Sequence, residues 1–381
     1  MKKGLFSIFL FLSCLFSTYA ENLGFVAEYG RLKLVGNQLS SEKGDAIQLK
    51  GLCTGVIGED ACLDKHTFKT MKEWGLSSVR LNYSPYTHSK TNVARLKSYI
   101  DICAEQGLYA IVDWHIFESD DHTNTGKPSD YADDAKDFFE TISAYVKEKG
   151  YIHVIYDICN EPSGVNWKGI KEYAEEILPI IETNDPGAIV IVGTRDWCQK
   201  IIEPVSNPIN ANDYNLGIMY SFNYYACSHY ALLGDLRSAM KAIPVFVSEW
   251  TSGRFDYSNE TVCESESEDL LATLAGTVTG QLVSWNYWSW GNTGIWKNCE
   301  DGVYKENLTE TGKYLVNLLK VTLDSKPAES EWIANFKEYG RLKLVGNQLS
   351  SEKGDAIQLK GISTGVIGED ACLYRSSFKT M

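Results

Sequence analysis

The sequence has no basic cluster beyond its first residues, no Cys-x-x-Cys pair, no Cys/His ligand spacing, and no long apolar run after residue 20. Each absence removes a class of function. With a net charge of −14 over 381 residues and no basic patch, neither nucleic acid nor an anionic membrane surface is a fitting partner. Nine cysteines scattered through the chain after residue 20, from Cys53 to Cys372, give no structural zinc site. Without a second apolar run, nothing beyond the N-terminus could span a bilayer. No long Pro/Ser tract marks a linker.

What is present is a chain that is 44% hydrophobic and 12% aromatic, enough for one large domain with a substantial core. Its first twenty residues run Lys2, Lys3, then "LFSIFLFLSCLF" and "STYA", with small residues Thr18 and Ala20 placed for cleavage. That is the pattern of a secretory signal over 1–20, and the protein is expected to be secreted (extracellular). Lipidation at Cys14 fits poorly, because Phe11-Leu12-Ser13 is a weak approach to such a cysteine. Export permits disulfides. Cys263 and Cys299 lie in polar loops and could pair, whereas Cys103 and Cys159 read as buried thiols; the sequence does not fix the connectivity.

Residues 28–71 recur as 338–381 with 38 of 44 positions identical, and "EYGRLKLVGNQLSSEKGDAIQLKG" is copied unchanged. This is the opening of a second copy of the whole module rather than a solenoid repeat. The expected organisation is a signal at 1–20, a catalytic barrel at 21–324, a linker at 325–337 and the truncated start of a second copy at 338–381. The chain reads as a fragment of a tandem protein or a truncated gene product.

Short apolar runs at 47–52, 78–81, 109–114, 154–158, 188–192, 216–220, 245–247 and 282–288 alternate with amphipathic stretches. Phe138, Phe139, Ile142, Tyr145 and Val146 fall on one helical face that ends at Gly150. Ile170, Tyr173, Ala174, Ile177, Leu178 and Ile181 form another, in which Pro179 must kink the helix or sit outward. The alternation predicts an α/β fold: a (β/α)8 TIM barrel with a short N-terminal β-hairpin, an open doubly wound sheet being the competitor. Residues 28–46 form that hairpin and plug the barrel bottom. In such barrels chemistry sits at the C-terminal ends of the strands. There the sequence puts Arg80, Asn82, Asp113, His115, Asn160, Glu161, Tyr220 to Tyr225, Glu249 and Trp285 to Trp288. Two acids, Glu161 and Glu249, stand on separate strands. Opposed carboxylates are what glycoside hydrolysis requires, with retention or inversion set by their separation. His115, Glu161 and Glu249 could in principle hold a metal, but the aromatic surroundings suit sugar better.

These residues resemble glycoside hydrolase family 5, and within it the bacterial-type endo-β-1,4-glucanases (cellulases), over roughly residues 28–320. "VIYDICNEPSG" resembles the family's Asn-Glu-Pro segment, which implies Glu161 as acid/base and Asn160 as a ligand for the sugar 2-hydroxyl. "PVFVSEW" is similar to its nucleophile strand, which implies Glu249 as nucleophile. By the same resemblance Arg80, His115, Tyr225, Trp197 and Trp288 bind substrate, with Trp288 as platform under the scissile sugar and Trp250 as a further stacking surface. One position departs: the family usually has His where this chain has Asn223. The resemblance implies a retaining enzyme that needs no metal or organic cofactor and acts as a monomer on cellulose or another β-glucan. A β-mannanase, a xylanase and a non-catalytic glycan-binding protein are the alternatives.

Overall fold

The structure, a computed structural model, describes residues 24–58, 62–119, 124–254, 259–292, 294–325, 343–345 and 348–350. The signal at 1–20, nearly all of the linker and most of the repeated copy lie outside the described residues. Those described fall into two compact units, one running to Lys297 and including Thr309–Val321, the other holding Asn298–Leu308 and residues from Thr322 onward.

The first unit opens with a hairpin, β1 (Lys33–Val35) against β2 (Gln38–Ser40). Eight parallel strands follow: β3 (Lys50–Cys53), β4 (Ser78–Tyr83), β5 (Tyr109–Trp114), β6 (Val154–Asp157), β7 (Ile189–Val192), β8 (Gly217–Tyr225), β9 (Val245–Thr251) and β10 (Trp285–Tyr287). β10 pairs with both β9 and β3, which closes the ring and rules out the open sheet. Every residue of β4, β5, β6 and β7 is buried, because barrel interior and helix layer cover both faces. That is why β7 reads as an unbroken apolar run, while β4, β5 and β6 are interrupted only by Ser78, Arg80, Asn82, Asp113 and Asp157. β8 and β9 extend beyond the expected runs. Asn223, Ser248 and Glu249 interrupt the apolar pattern there, yet all three stay buried, and Asn223 and Glu249 face each other in the ladder beyond an irregularity in its register.

The helices take the faces their periodicity assigns. Ala132–Lys149 buries Phe138, Phe139, Ile142 and Val146, and ends at Gly150 in the left-handed region (φ 65°), where a side chain would be strained. Trp167–Asn184 carries Pro179 within it, on the exposed side, so the missing N–H falls where no neighbour packs.

The hairpin does plug the bottom. Leu32, Leu39, Ile47 and Leu49 form one apolar cluster with Tyr109, Ile111, Ile155, Ile189, Ile191, Met219 and Phe246 from the barrel strands. Polar pins fix it in place: Arg31 pairs with Asp185 at 2.8 Å, and the Gln38 amide exchanges two 3.0 Å hydrogen bonds with the backbone of Leu282.

Cys263 is bonded to Cys227, which corrects the expected pairing with Cys299. The reason is a shared loop: Cys227 N–H donates to Gly253 O and Cys263 N–H to Ser252 O, so the chain after β9 brings the two together. Cys62 and Cys299 are each half of a disulfide as well. Cys103 and Cys159 are free and buried as expected, and so are Cys53 and Cys198. In the second unit, β11 (Lys343–Val345) pairs with β12 (Gln348–Ser350) in the register of β1 and β2, so the copied sequence folds into the same hairpin. Among the described residues, no helix is long and apolar enough to cross a membrane.

Candidate active site

Arg80, at the C-terminal end of β4, is fully buried and organises the mouth of the barrel. A buried guanidinium needs acceptors on all sides. Its Nε and Nη2 donate to Asp157 Oδ2 at 3.0 and 2.8 Å, and Nη2 also donates to Asn160 Oδ1 at 2.8 Å. Asp113 Oδ1 lies 3.0 Å from Nη2, and Glu249 Oε2 lies 3.5 Å from Nη1. Three strands, β5, β6 and β9, thus aim acceptors at one cation on a fourth. Asn160 is held from its other side too, its Nδ2 donating to Ile116 O.

Glu249 on β9 is 3% exposed. Tyr225 Oη donates to its Oε1 from the neighbouring strand β8, where Asn223 is the register partner of Glu249. Asn223 Nδ2 donates at 2.9 Å to Glu161 Oε1, so one short stretch of β8 holds both acids. His115 Nδ1 sits 2.7 Å from Asp113 Oδ2 and 3.0 Å from Asn82 Nδ2, and these two contacts hold the ring in place. The imidazole lies parallel to the indole of Trp288, with centroids 5.7 Å apart and planes 5° apart.

The two acids do not titrate alike. Burial, then the charge on Glu249, pushes Glu161 up to about 8, with the Asn223 N–H pulling the other way. Burial raises Glu249 as well, but the Arg80 charge, His115 and the Tyr225 hydroxyl oppose it. Burial raises both, the charge on Glu249 adds to the rise of Glu161, and Arg80 is the leading influence against the rise of Glu249; such unlike surroundings for two acids are what proton donation and nucleophilic attack need together. Among the described residues no group of His, Cys, Asp or Glu side chains is disposed to hold a metal ion.

The structure brings together Arg80, His115, Asn160, Glu161, Asn223, Tyr225, Glu249 and Trp288. Trp197 is 42% exposed on the turn after β7. Trp250 corrects an expectation. It is wholly buried, edge-on to Trp285 and Tyr287 at 5.6 and 4.8 Å, and offers no face to a sugar. Adjacent residues on a strand point to opposite faces, so placing Glu249 in the mouth sends Trp250 into the helix layer. The sequence reading passed over Asp157 as a site residue and gave Asp113 no role, although both brace Arg80. An aspartate inside the apolar "VIYD" run was the available signal. It also passed over the turn at Thr194–Cys198, where Asp196, Trp197 and Cys198 all have positive φ (54°, 55° and 60°). Left-handed backbone costs a non-glycine residue roughly 1–2 kcal/mol, so three in succession need firm anchoring.

The model of the family described as cellulase (glycosyl hydrolase family 5) matches residues 40–294. Endoglucanase E-5 of Thermobifida fusca is 35% identical over 277 residues, which are 69% of this chain and 56% of that protein. An endoglucanase of Clostridium saccharobutylicum is 34% identical over 286 residues, 72% of this chain and 60% of that one. The chain therefore spans little more than half the length of these curated relatives. Among solved structures, the catalytic domain of Thermobifida fusca endoglucanase Cel5A matches with a TM-score of 0.70 and 30% identity, covering 77% of this chain and 99% of that one. A further structure of that domain, 29% identical, is a complex with cellotetraose. A family model spanning most of the chain, and a barrel whose mouth gathers two glutamates around a buried arginine, agree: the chain belongs to glycosyl hydrolase family 5, the cellulase family.

Proposed function

We propose that this protein is a secreted endo-β-1,4-glucanase that cleaves internal bonds of cellulose and related β-glucans with retention of anomeric configuration, and that it acts as a monomer. The observation that carries this reading is the geometry of the two acids: one short stretch of β8 holds both, Asn223 on Glu161 and Tyr225 on Glu249, and Arg80 faces Glu249 from the other side. The Glu249 carboxylate attacks the anomeric carbon while Glu161 gives its proton to the departing glycosidic oxygen; the C–O bond breaks and a glycosyl ester forms on Glu249. Glu161, now ionised, takes a proton from water, and the water oxygen displaces the ester and frees Glu249. Arg80 and Tyr225 stabilise the charge on Glu249 before attack and after release. Asn160 holds the sugar 2-hydroxyl, and His115, Trp197, Asn223 and Trp288 complete the substrate surface. In the same reading residues 1–20 are a cleaved signal, 21–324 the catalytic module, 325–337 a linker and 338–381 the start of a second module.

The names of the relatives favour glucan over mannan or xylan, and the amphipathic tryptophans suit the flat faces of β-linked glucose. Hydrolysis of cellotetraose followed by proton NMR tests the mechanism. The β-anomer should appear first and mutarotate afterwards; first appearance of the α-anomer would exclude double displacement. A panel of purified glucan, mannan and xylan tests the substrate, and binding without release of reducing sugar would point to a silent glycan-binding protein.

A further inference from the structure

The left-handed turn after β7 grips the backbone on both sides of Glu161. Cys198 Sγ donates to the carbonyl of Asn160 at 2.9 Å, and the Trp197 N–H donates to the carbonyl of Pro162 at 3.1 Å. The peptide before Glu161 and the one after Pro162 are thereby fixed, and with them the direction in which the Glu161 side chain leaves the backbone. The turn is in turn fastened to the barrel. Thr194 Oγ1 donates to Ser221 O on β8 at 3.0 Å, and Thr194 N–H donates to the Cys198 sulfur at 3.4 Å. Gly193 permits the approach, since a Cβ there would lie 2.2 Å from Cys159 O and 2.8 Å from the Pro162 ring. Cys198 is wholly buried, and burial pushes its thiol well above the ordinary range, so it stays protonated and can donate. Asn160 is equally buried, so its carbonyl has no water to turn to if the thiol is removed.

We propose that Cys198 is a positioning residue for Glu161: through the Asn160 carbonyl it anchors a strained turn that sets the acid/base carboxyl and the exposed Trp197 indole in one fixed relation. The function of the three left-handed residues follows. Ordinary backbone dihedrals would swing Trp197 and release the Pro162 carbonyl together, so the platform that receives a sugar and the acid that protonates its leaving oxygen move as one body. A sugar stacked on Trp197 therefore meets Glu161 already aimed.

This inference rests on the reading of Glu161 as the proton donor, and its test separates the two. Wild type, Cys198→Ala, Cys198→Val, Cys198→Ser, Glu161→Gln and Glu249→Gln are compared by kcat/KM on cellotetraose and on 2,4-dinitrophenyl β-cellobioside, whose leaving group departs without a proton. A misaimed acid costs on the order of 100-fold where protonation is needed. Cys198→Ala and Cys198→Val, the second of which fills the thiol's volume without a donor, should lose about 10- to 100-fold on cellotetraose and less than about 3-fold on the aryl substrate. Cys198→Ser keeps a donor and should restore cellotetraose hydrolysis to within about 3-fold of wild type. Unchanged activity in both donorless variants, or equal loss on both substrates in whichever of them folds, would overturn the positioning role. Equal loss on both substrates in Glu161→Gln would instead overturn the reading of Glu161 and leave Cys198 without a function.

Discussion

At the bottom of the barrel Leu32, Leu39, Ile47 and Leu49 fill the space, and the polar groups that enter it, Arg31 and Gln38, have partners. At the mouth Arg80, Asp113, Asp157 and Glu249 occupy equally dry positions. There Arg80 Nη1, Asp113 Oδ1, Asp157 Oδ1 and Glu249 Oε2 have no hydrogen bond among the described residues, although each lies close to opposite charge. Both ends are sealed from water by the same eight strands. Only one of them is optimised for stability; the other holds charge in a dry place, which weakens the fold but prepares it to stabilise a charged transition state.

Substitutions at the two ends should therefore separate activity from stability. Glu249→Gln is expected to lower kcat by about four orders of magnitude or more, while thermal unfolding shows a Tm no lower than wild type, because a buried carboxylate has gone. A fall of many degrees would make the mouth as structural as the bottom. Glu161→Gln should cost on the order of 10²- to 10⁴-fold on cellotetraose and abolish the alkaline fall in kcat/KM. In the wild type that fall is expected as pH rises through about 8, where Glu161 loses the proton that the proposed mechanism has it donate. The sign for stability is the same. A carboxyl whose folded pKa is raised weakens the fold as pH climbs from the ordinary carboxylate range toward 8, and Glu161→Gln should lessen that decline in denaturant titrations, leaving the share of Asp157, which burial raises to about 7. Leu39→Ala, at the opposite end, should cost about 2–5 kcal/mol of stability by urea unfolding and leave kcat at 25 °C unchanged. The smallest effect tests Asn223. Asn223→His puts an ionisable cation within hydrogen-bond reach of Glu161, so the alkaline limb should move about one unit toward acid. An unmoved limb would mean that the amide at this position is electrostatically idle.

The bottom was far easier to read from sequence than the mouth. Its strands and hairpin are runs of Leu, Ile and Val, and burial on both faces leaves that composition as its mark. Glu161 and Glu249 were legible because each closes such a run. Asp157 was not, since nothing local shows that the aspartate of "VIYD" meets an arginine 77 residues earlier. Trp250 was misread because a strand end offers no clue to which face is the mouth until its neighbour is placed. The Cys227–Cys263 bond depends on where two loops cross, and the left-handed turn at Asp196–Cys198 has no glycine to announce it.

The Gln38 amide binds the backbone of Leu282, 244 residues further along, and Gln48 reaches Leu274 and Val283 in the same way. During synthesis the hairpin, which precedes every barrel strand, thus waits for nearly the last strand before its polar pins can form. Until then Leu39, Ile47 and Leu49 have no finished floor to cover, and closure of the ring becomes a late event governed by long-range contacts. A nascent chain stalled before residue 282 should accordingly be open to protease at its N-terminal hairpin, and one released beyond β10, which ends at Tyr287, should be resistant.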